Sequence, residues 1–180
     1  MNKKFSNLLP EKHREIISEA DIRKRIGELG AMISKEYKDK CPIIIGVLNG
    51  AFIFMADLIR EIEIDCEVDF IKISSYGNKK VSSGNIKLNK DIDCDVQGRH
   101  VIVVEDIVDS GRSIQYLENM FSGHSPASVK FVSLLVKKGG AIVNFHIDYI
   151  GFEISNEFVV GYGLDFAQKM RNLPSIYVIE

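Results

Sequence analysis

The stretch Val101-Ile102-Val103-Val104-Glu105-Asp106-Ile107-Val108-Asp109-Ser110-Gly111-Arg112-Ser113 constrains the fold more tightly than any other part of this 180-residue chain. Four consecutive apolar residues fit a strand buried on both faces, and the two carboxylates that follow mark where it emerges. A loop of small residues comes next, and then Ile114, Leu117 and Met120 at helical spacing. Strand, tight loop and helix in direct succession are the first half of a βαβ unit. In an open sheet of such units, ligands bind beyond the carboxyl ends of the strands.

The same order occurs earlier in the chain. Ile43, Ile44, Ile45 and Val47 form an apolar run closed by Asn49-Gly50 and followed by a helix-like segment from Ala51 to Ile62. Further strands are expected over Val68–Ile73 and Val129–Val136. Upstream, Ile22, Ile26, Leu29, Ile33 and Tyr37 fall three or four residues apart, with Ser18 and Asp21 resembling a capping box and Cys41-Pro42 ending the helix. Strands that are apolar on both faces, alternating with amphipathic helices, predict an open, doubly wound α/β domain: a parallel sheet flanked by helices. Residues 75–95 are polar and contain two glycines, a composition suited to a lid or to a twisted hairpin at the sheet edge. The tail carries β-like pieces at Tyr149–Phe152, Phe158–Val160 and Ile176–Ile179 that could cap the end of the sheet.

Apolar residues at 46% and charged residues at 27% describe a globular chain of one domain, far from the composition of disorder. Twenty-three Lys and Arg against 25 Asp and Glu leave a net charge of -2, which argues against nucleic acid as the partner. Cys41, Cys66 and Cys94 are odd in number and lack CxxC spacing, so they read as ordinary thiols. No signal-peptide pattern and no membrane-spanning run is evident, and a cytoplasmic address is expected.

The chemistry is expected around the 105–113 stretch. Gly111 allows close backbone approach, and the amides opening the next helix point outward along a favourable dipole, which suits a phosphate dianion. Ser110 and Ser113 add hydroxyls. Glu105 and Asp106 would repel that phosphate, so their oxygens suit ribose hydroxyls or a hydrated magnesium ion. The Walker pattern is absent, which argues against a P-loop NTPase. The plainer alternative makes Asp109-Ser110-Gly111 an N-cap and turn of an ordinary helix.

Glu105 through Ser113 resembles the phosphoribosyl-pyrophosphate motif of the type I phosphoribosyltransferases, in the version found in hypoxanthine-guanine enzymes. Leu48-Asn49-Gly50-Ala51 resembles the pyrophosphate loop, and Ser74-Ser75-Tyr76-Gly77 opens what resembles the flexible catalytic loop. Leu134-Leu135-Val136-Lys137-Lys138 resembles the purine-contacting strand. Val159–Asp165, with Arg171-Asn172-Leu173-Pro174, resembles the C-terminal hood. The resemblance implies a type I phosphoribosyltransferase fold in a single domain, with a core over about 40–137, a flexible loop over about 75–95, and a small hood from the N-terminal segment and about 138–180.

It also implies roles. Glu105 and Asp106 would take the ribose hydroxyls, and the loop Asp109, Ser110, Gly111, Arg112, Ser113 the 5'-phosphate. Asp109 would exchange a proton with the purine N7. Leu48, Asn49, Gly50 and Arg171 would face pyrophosphate, with Ser75 and Tyr76 in the flexible loop. Lys137 would donate to the purine O6, Phe158 would stack on the base and Val159 would read its edge. Glu105, Asp106 and Asp165 would hold Mg2+. Individually, Lys137 could be a surface lysine, Phe158 core and Arg171 a helix-end charge.

The reaction so implied is purine salvage: the 5-phosphoribosyl group passes from phosphoribosyl pyrophosphate to hypoxanthine or guanine, giving IMP or GMP. A donor at Lys137 suits a 6-oxo group and mismatches a 6-amino group. Other readings are a sugar-phosphate-sensing regulator on the same fold, and a catalyst for adenine or a pyrimidine. The apolar residues Phe52, Phe54 and Met55 suggest a homodimer or homotetramer.

Overall fold

Apolar side chains three or four residues apart line one side of a helix, and α1 spans Glu19–Glu36 with Ile22, Ile26, Leu29 and Ile33 all buried. Its N-cap is Ser18, whose hydroxyl accepts the amide of Asp21 at 3.2 Å. The computed structural model describes residues 3–75, 86–139 and 145–179. Ahead of α1 stand a 3-10 turn, Lys3–Leu8, and strand β1, His13–Ile17. After it come β2 (Ile43–Leu48), α2 (Phe52–Arg60), β3 (Glu67–Ser75), β4 (Ile86–Lys90) and β5 (His100–Val108). The remainder is α3 (Arg112–Ser122), β6 (Ser128–Lys137), β7 (Tyr149–Ile154), β8 (Val159–Val160) and β9 (Ile176–Ile179).

Six strands form the main sheet in the order β4-β3-β2-β5-β6-β7, parallel except for the β3/β4 pair at one edge. Alternation of side chains along each strand creates two cores. Ile44, Ile102 and Val104 pack with α1 and α2, while Ile43, Ile45, Val101 and Val103 pack with α3 on the opposite face. The doubly wound α/β expectation therefore holds. The chain leaves β2 toward β3 on one side and β5 toward β6 on the other, so the topological switch point lies between β2 and β5.

One boundary differs from the sequence reading. Tyr149–Ile154 pairs in parallel with β6 and extends the main sheet, so the core runs past residue 137 and the hood begins after Ile154. The hood is a separate sheet, β1-β9-β8, in which His13 pairs with Ile179 and Val159 with Val178. Within 75–95, residues 86–90 are strand β4. That agrees with an edge hairpin, and Tyr76 lies outside the described residues.

One buried acid ties the edge to the core. The Asp69 carboxylate, on β3, accepts the amides of Phe70 at 2.6 Å, Asp93 at 2.6 Å and Cys94 at 3.0 Å. Burial works against its charge, but these amides more than offset that and hold its pKa at about 2. Among the described residues no helix is long and apolar enough to cross a membrane, which says nothing about β-barrels.

Candidate active site

The switch point creates the site. β2 and β5 are adjacent and parallel, with Gly46 opposite Val104 as their last paired residues, so Leu48 and Asp106 lie at the same level just beyond the β2/β5 pairing. Chain departing in opposite directions opens a crevice there. A cavity of about 500 Å³ fills it, lined by Leu48, Asn49, Gly50, Glu105, Asp106, Asp109, Ser110, Arg112, Ser113, Asp165 and Arg171, together with Val47, Ile73, Ser74, Ile86 and Ile107.

Two close backbone approaches build its floor. A Cβ on Gly50 would overlap the Asp106 carboxylate, and a Cβ on Gly163 would overlap the Gly50 carbonyl, so the 48–51 loop is clasped between strand β5 and the hood. Gly163 also has φ +99, outside the ordinary range of L residues. The Leu48-Asn49 peptide is cis.

The helix after β5 opens on a glycine. Gly111, at φ +78, is the N-cap of α3 and makes no side-chain capping bond. The Asp109-Ser110-Gly111 segment does turn the chain into α3, with Gly111 as the N-cap, while Asp109 projects from the loop with its side chain 54% exposed. Ser110 offers its oxygen to the Arg112 amide only at 3.5 Å. The first-turn amides at the positive end of this 11-residue helix suit an anion.

The acids sit on the opposite wall. Glu105 is buried, and burial together with the neighbouring Asp106 charge pushes its pKa up, while the Ser113 hydroxyl donates to it and opposes the rise. Asp106 is pushed up to about 6, first by burial and also by the Asp165 charge; its own amide, the Ile107 amide and Arg171 pull the other way. Carboxylates so placed favour a cation or hydroxyl donors. Among the described residues no group of three His, Cys, Asp or Glu side chains forms a ready-made metal cage. Adjacent acids with Asp165 also lining the cleft would suit a hydrated divalent cation held through one or two carboxylates rather than by an all-protein cage.

Asp165 accepts Arg171 at 2.6 Å and the Gln168 amide at 2.7 Å. Arg171 also donates to the Gly163 carbonyl at 2.7 Å and to the Gln168 side chain at 3.0 Å. It belongs to this hood loop rather than to a helix end.

A second cavity of about 230 Å³ adjoins the first through Asp106, Ile107, Asp109 and Asp165, and adds Lys137, Phe158, Val159 and Leu164. The β5/β6 register pairs Val108 with Val136, so the next residues, Asp109 and Lys137, come together, and Lys137 donates to Asp109 at 3.3 Å. Lys137 is only 13% exposed and Phe158 is 51% exposed, the reverse of what a surface lysine and a core phenylalanine would show. Every described site residue named from the sequence lines one of these two cavities except Gly111, which caps the helix beside them, and Ser75, the last residue of β3. The sequence reading placed Gly163 and Leu164 in the hood motif without giving either a role of its own, and it missed Gln168, whose role arises from loop packing.

The sequence profile described as "Phosphoribosyl transferase domain" matches residues 14–167. The hypoxanthine-guanine phosphoribosyltransferase of Bacillus subtilis (strain 168) is 48% identical over 165 residues, covering 92% of each chain. Among solved structures, a hypoxanthine-guanine phosphoribosyltransferase of Bacillus anthracis superposes with a TM-score of 0.88 at 44% identity, covering 93% of this chain and 98% of that one. A hypoxanthine phosphoribosyltransferase of Staphylococcus aureus superposes with a TM-score of 0.92 at 33% identity, covering 100% and 96%. With a helix N-terminus, an acid pair and an adjoining pocket at one switch point, and with relatives this similar over nearly its whole length, this chain belongs to the phosphoribosyltransferase family, among the hypoxanthine-guanine phosphoribosyltransferases.

Proposed function

We propose that this purine-salvage transferase joins hypoxanthine or guanine to the ribose of phosphoribosyl pyrophosphate, giving IMP or GMP and pyrophosphate. The observation that carries this reading is the adjacency of two unlike cavities sharing Asp106 and Asp109. The larger offers helix N-terminal amides and acids; the smaller offers a partly buried cation and an aromatic face.

In this reading the Asp109–Ser113 loop takes the 5'-phosphate and Glu105 and Asp106 orient the ribose hydroxyls. Asn49, Gly50 and Arg171 lie along the leaving pyrophosphate. Glu105, Asp106 and Asp165 would hold Mg2+, which when bound neutralises charge on the leaving group. The purine sits on Phe158, with Lys137 donating to O6 and Val159 meeting its edge through the backbone. As the N9–C1 bond forms and the bond from C1 to pyrophosphate oxygen breaks, Asp109 accepts the proton released from N7. The Lys137–Asp109 contact supports this pairing, because it sets donor and acceptor at the spacing of neighbouring purine atoms.

A cytoplasmic address and a homodimer or homotetramer complete the proposal. Phe54 and Met55 are core residues and cannot serve such an interface; Phe52, 44% exposed at the start of α2, can. A net charge of -2 favours small-molecule partners over nucleic acid.

The test supplies phosphoribosyl pyrophosphate and Mg2+ with hypoxanthine, guanine, xanthine or adenine in turn. Monophosphates from 6-oxopurines and none from adenine support the reading, whereas no turnover with any base refutes it and favours a sugar-phosphate sensor. Asp109→Asn is expected to lower kcat by about 10²-fold or more, the scale of general-base catalysis, with phosphoribosyl pyrophosphate binding nearly unchanged. An unchanged kcat removes Asp109 from proton transfer.

A further inference from the structure

A stacking ring is useful only if it is already facing the right way. Phe158 is half exposed and lies outside the packed cores, so burial does not set its orientation. Any freedom it keeps has to be lost when a base stacks on it, which weakens binding. Phe166 stands against it edge-to-face, with ring centroids 5.9 Å apart and planes at 83°. Phe166 is itself 53% exposed, so hydrophobic burial does not account for where this pair sits.

The turn carrying Phe166 does account for it. Phe166 and Lys169 exchange backbone hydrogen bonds of 3.1 and 3.0 Å across Ala167 and Gln168, which have φ of 50° and 67°. Both central residues are left-handed, as in a type I′ turn, yet neither is Gly, Asn or Asp, the residues that favour this geometry. Asp165 holds the turn by accepting the Gln168 amide, and Arg171 holds it by donating to the Gln168 side chain. A small, disfavoured turn is thus locked by the charged pair lining the larger cavity, and it aims one aromatic ring at another lining the smaller.

We propose that Phe166 is a positioning residue for the purine: its contact holds the Phe158 ring in the orientation on which the base stacks. This rests on the reading of Phe158 as the stacking ring. It links base affinity to a side chain that lines neither cavity.

The experiment compares Phe166→Ala, Phe166→Tyr, Phe158→Ala and the double alanine variant, varying hypoxanthine at saturating phosphoribosyl pyrophosphate and then the reverse. Phe166→Ala is expected to raise KM for hypoxanthine about three- to tenfold, the scale of an edge-to-face aromatic pair, leaving KM for phosphoribosyl pyrophosphate and kcat within about twofold. Phe166→Tyr restores the base KM, and the double variant matches Phe158→Ala alone, because without the Phe158 ring there is nothing to orient. The proposal is overturned if Phe166→Ala leaves the base KM unchanged while Phe158→Ala raises it, or if the two effects add. It is equally overturned if both KM values rise together and Tyr does not rescue them, which would mean the turn had collapsed. If Phe158→Ala itself leaves the base KM unchanged, the stacking reading beneath the proposal is what fails.

Discussion

Asn in place of Asp69 separates the electrostatic framework of this fold from its chemistry. One Asp69 oxygen accepts the Phe70 amide and lies 3.7 Å from Lys90; the other accepts the amides of Asp93 and Cys94. Asn keeps one acceptor oxygen and turns an NH2 toward a donor where the second oxygen stood. Losing one charge-assisted bond and creating that mismatch in a buried setting should cost about 2–3 kcal/mol at pH 7.

The pH dependence gives an independent measure. The folded carboxyl, at about 2, lies below the ordinary 3.8, so its stabilisation is present above pH 3.8 and is lost as pH falls toward 2. The difference between those values corresponds to about 2 kcal/mol. Urea unfolding of both proteins, at one protomer concentration, should therefore give a gap that is full at pH 7 and mostly closed at pH 2.5. Because Asp69 lines neither cavity, kcat/KM at pH 7 should stay within about twofold where the variant is folded. A gap below about 0.5 kcal/mol at pH 7, or one unchanged at pH 2.5, refutes the argument that the three amides set the ionisation of Asp69.

Two further outcomes are expected. Gly163→Ala adds a Cβ that meets the Gly50 carbonyl, so it should destabilise the fold by about 2–3 kcal/mol and raise KM for phosphoribosyl pyrophosphate; Gly98→Ala, also at positive φ but with nothing within 4 Å of the new Cβ, should cost only about 1 kcal/mol and leave kinetics alone. Equal effects on stability and KM would refute the clasping of the 48–51 loop. Asp106, raised to about 6 from 3.8, binds more protons folded than unfolded between those values, so it lowers stability as pH rises through that window. Asp106→Asn should therefore gain up to about 3 kcal/mol at pH 8 relative to pH 4 in urea unfolding without metal or substrate, while turnover falls; no gain at pH 8 would refute an unfavourably buried charge.

The strand, acid pair, small-residue loop and helix at residues 101–122 were legible because each depends on neighbours a few positions away. Hydrophobic period, turn residues and the emergence of carboxylates at a strand end are local signals. The same holds for α1 and its Ser18 cap, and for β2 with the loop that follows it. The candidate site residues were legible for another reason: several short motifs in family order carried them together.

Other features depended on distance in sequence being closed in space. The pairing of β1 with β9 joins residues from opposite ends of the chain, and whether Tyr149–Ile154 joined the hood or the main sheet depended on an open edge at β6. Phe54 and Met55 looked like candidates for an outer face until α2 docked with them inward, leaving Phe52 outside. The meeting of Asp109 with Lys137 follows from the β5/β6 register, and the clasp of Gly163 on Gly50 from the hood closing over the sheet. Sequence alone determined the local elements and the chemical types available at the site, because backbone preference and side-chain period act over a turn or a strand. Tertiary structure decided which acids lose their water, which cation reaches which carboxylate, and which ring faces which, because burial and charge pairing belong to the packed chain and to no single segment of it.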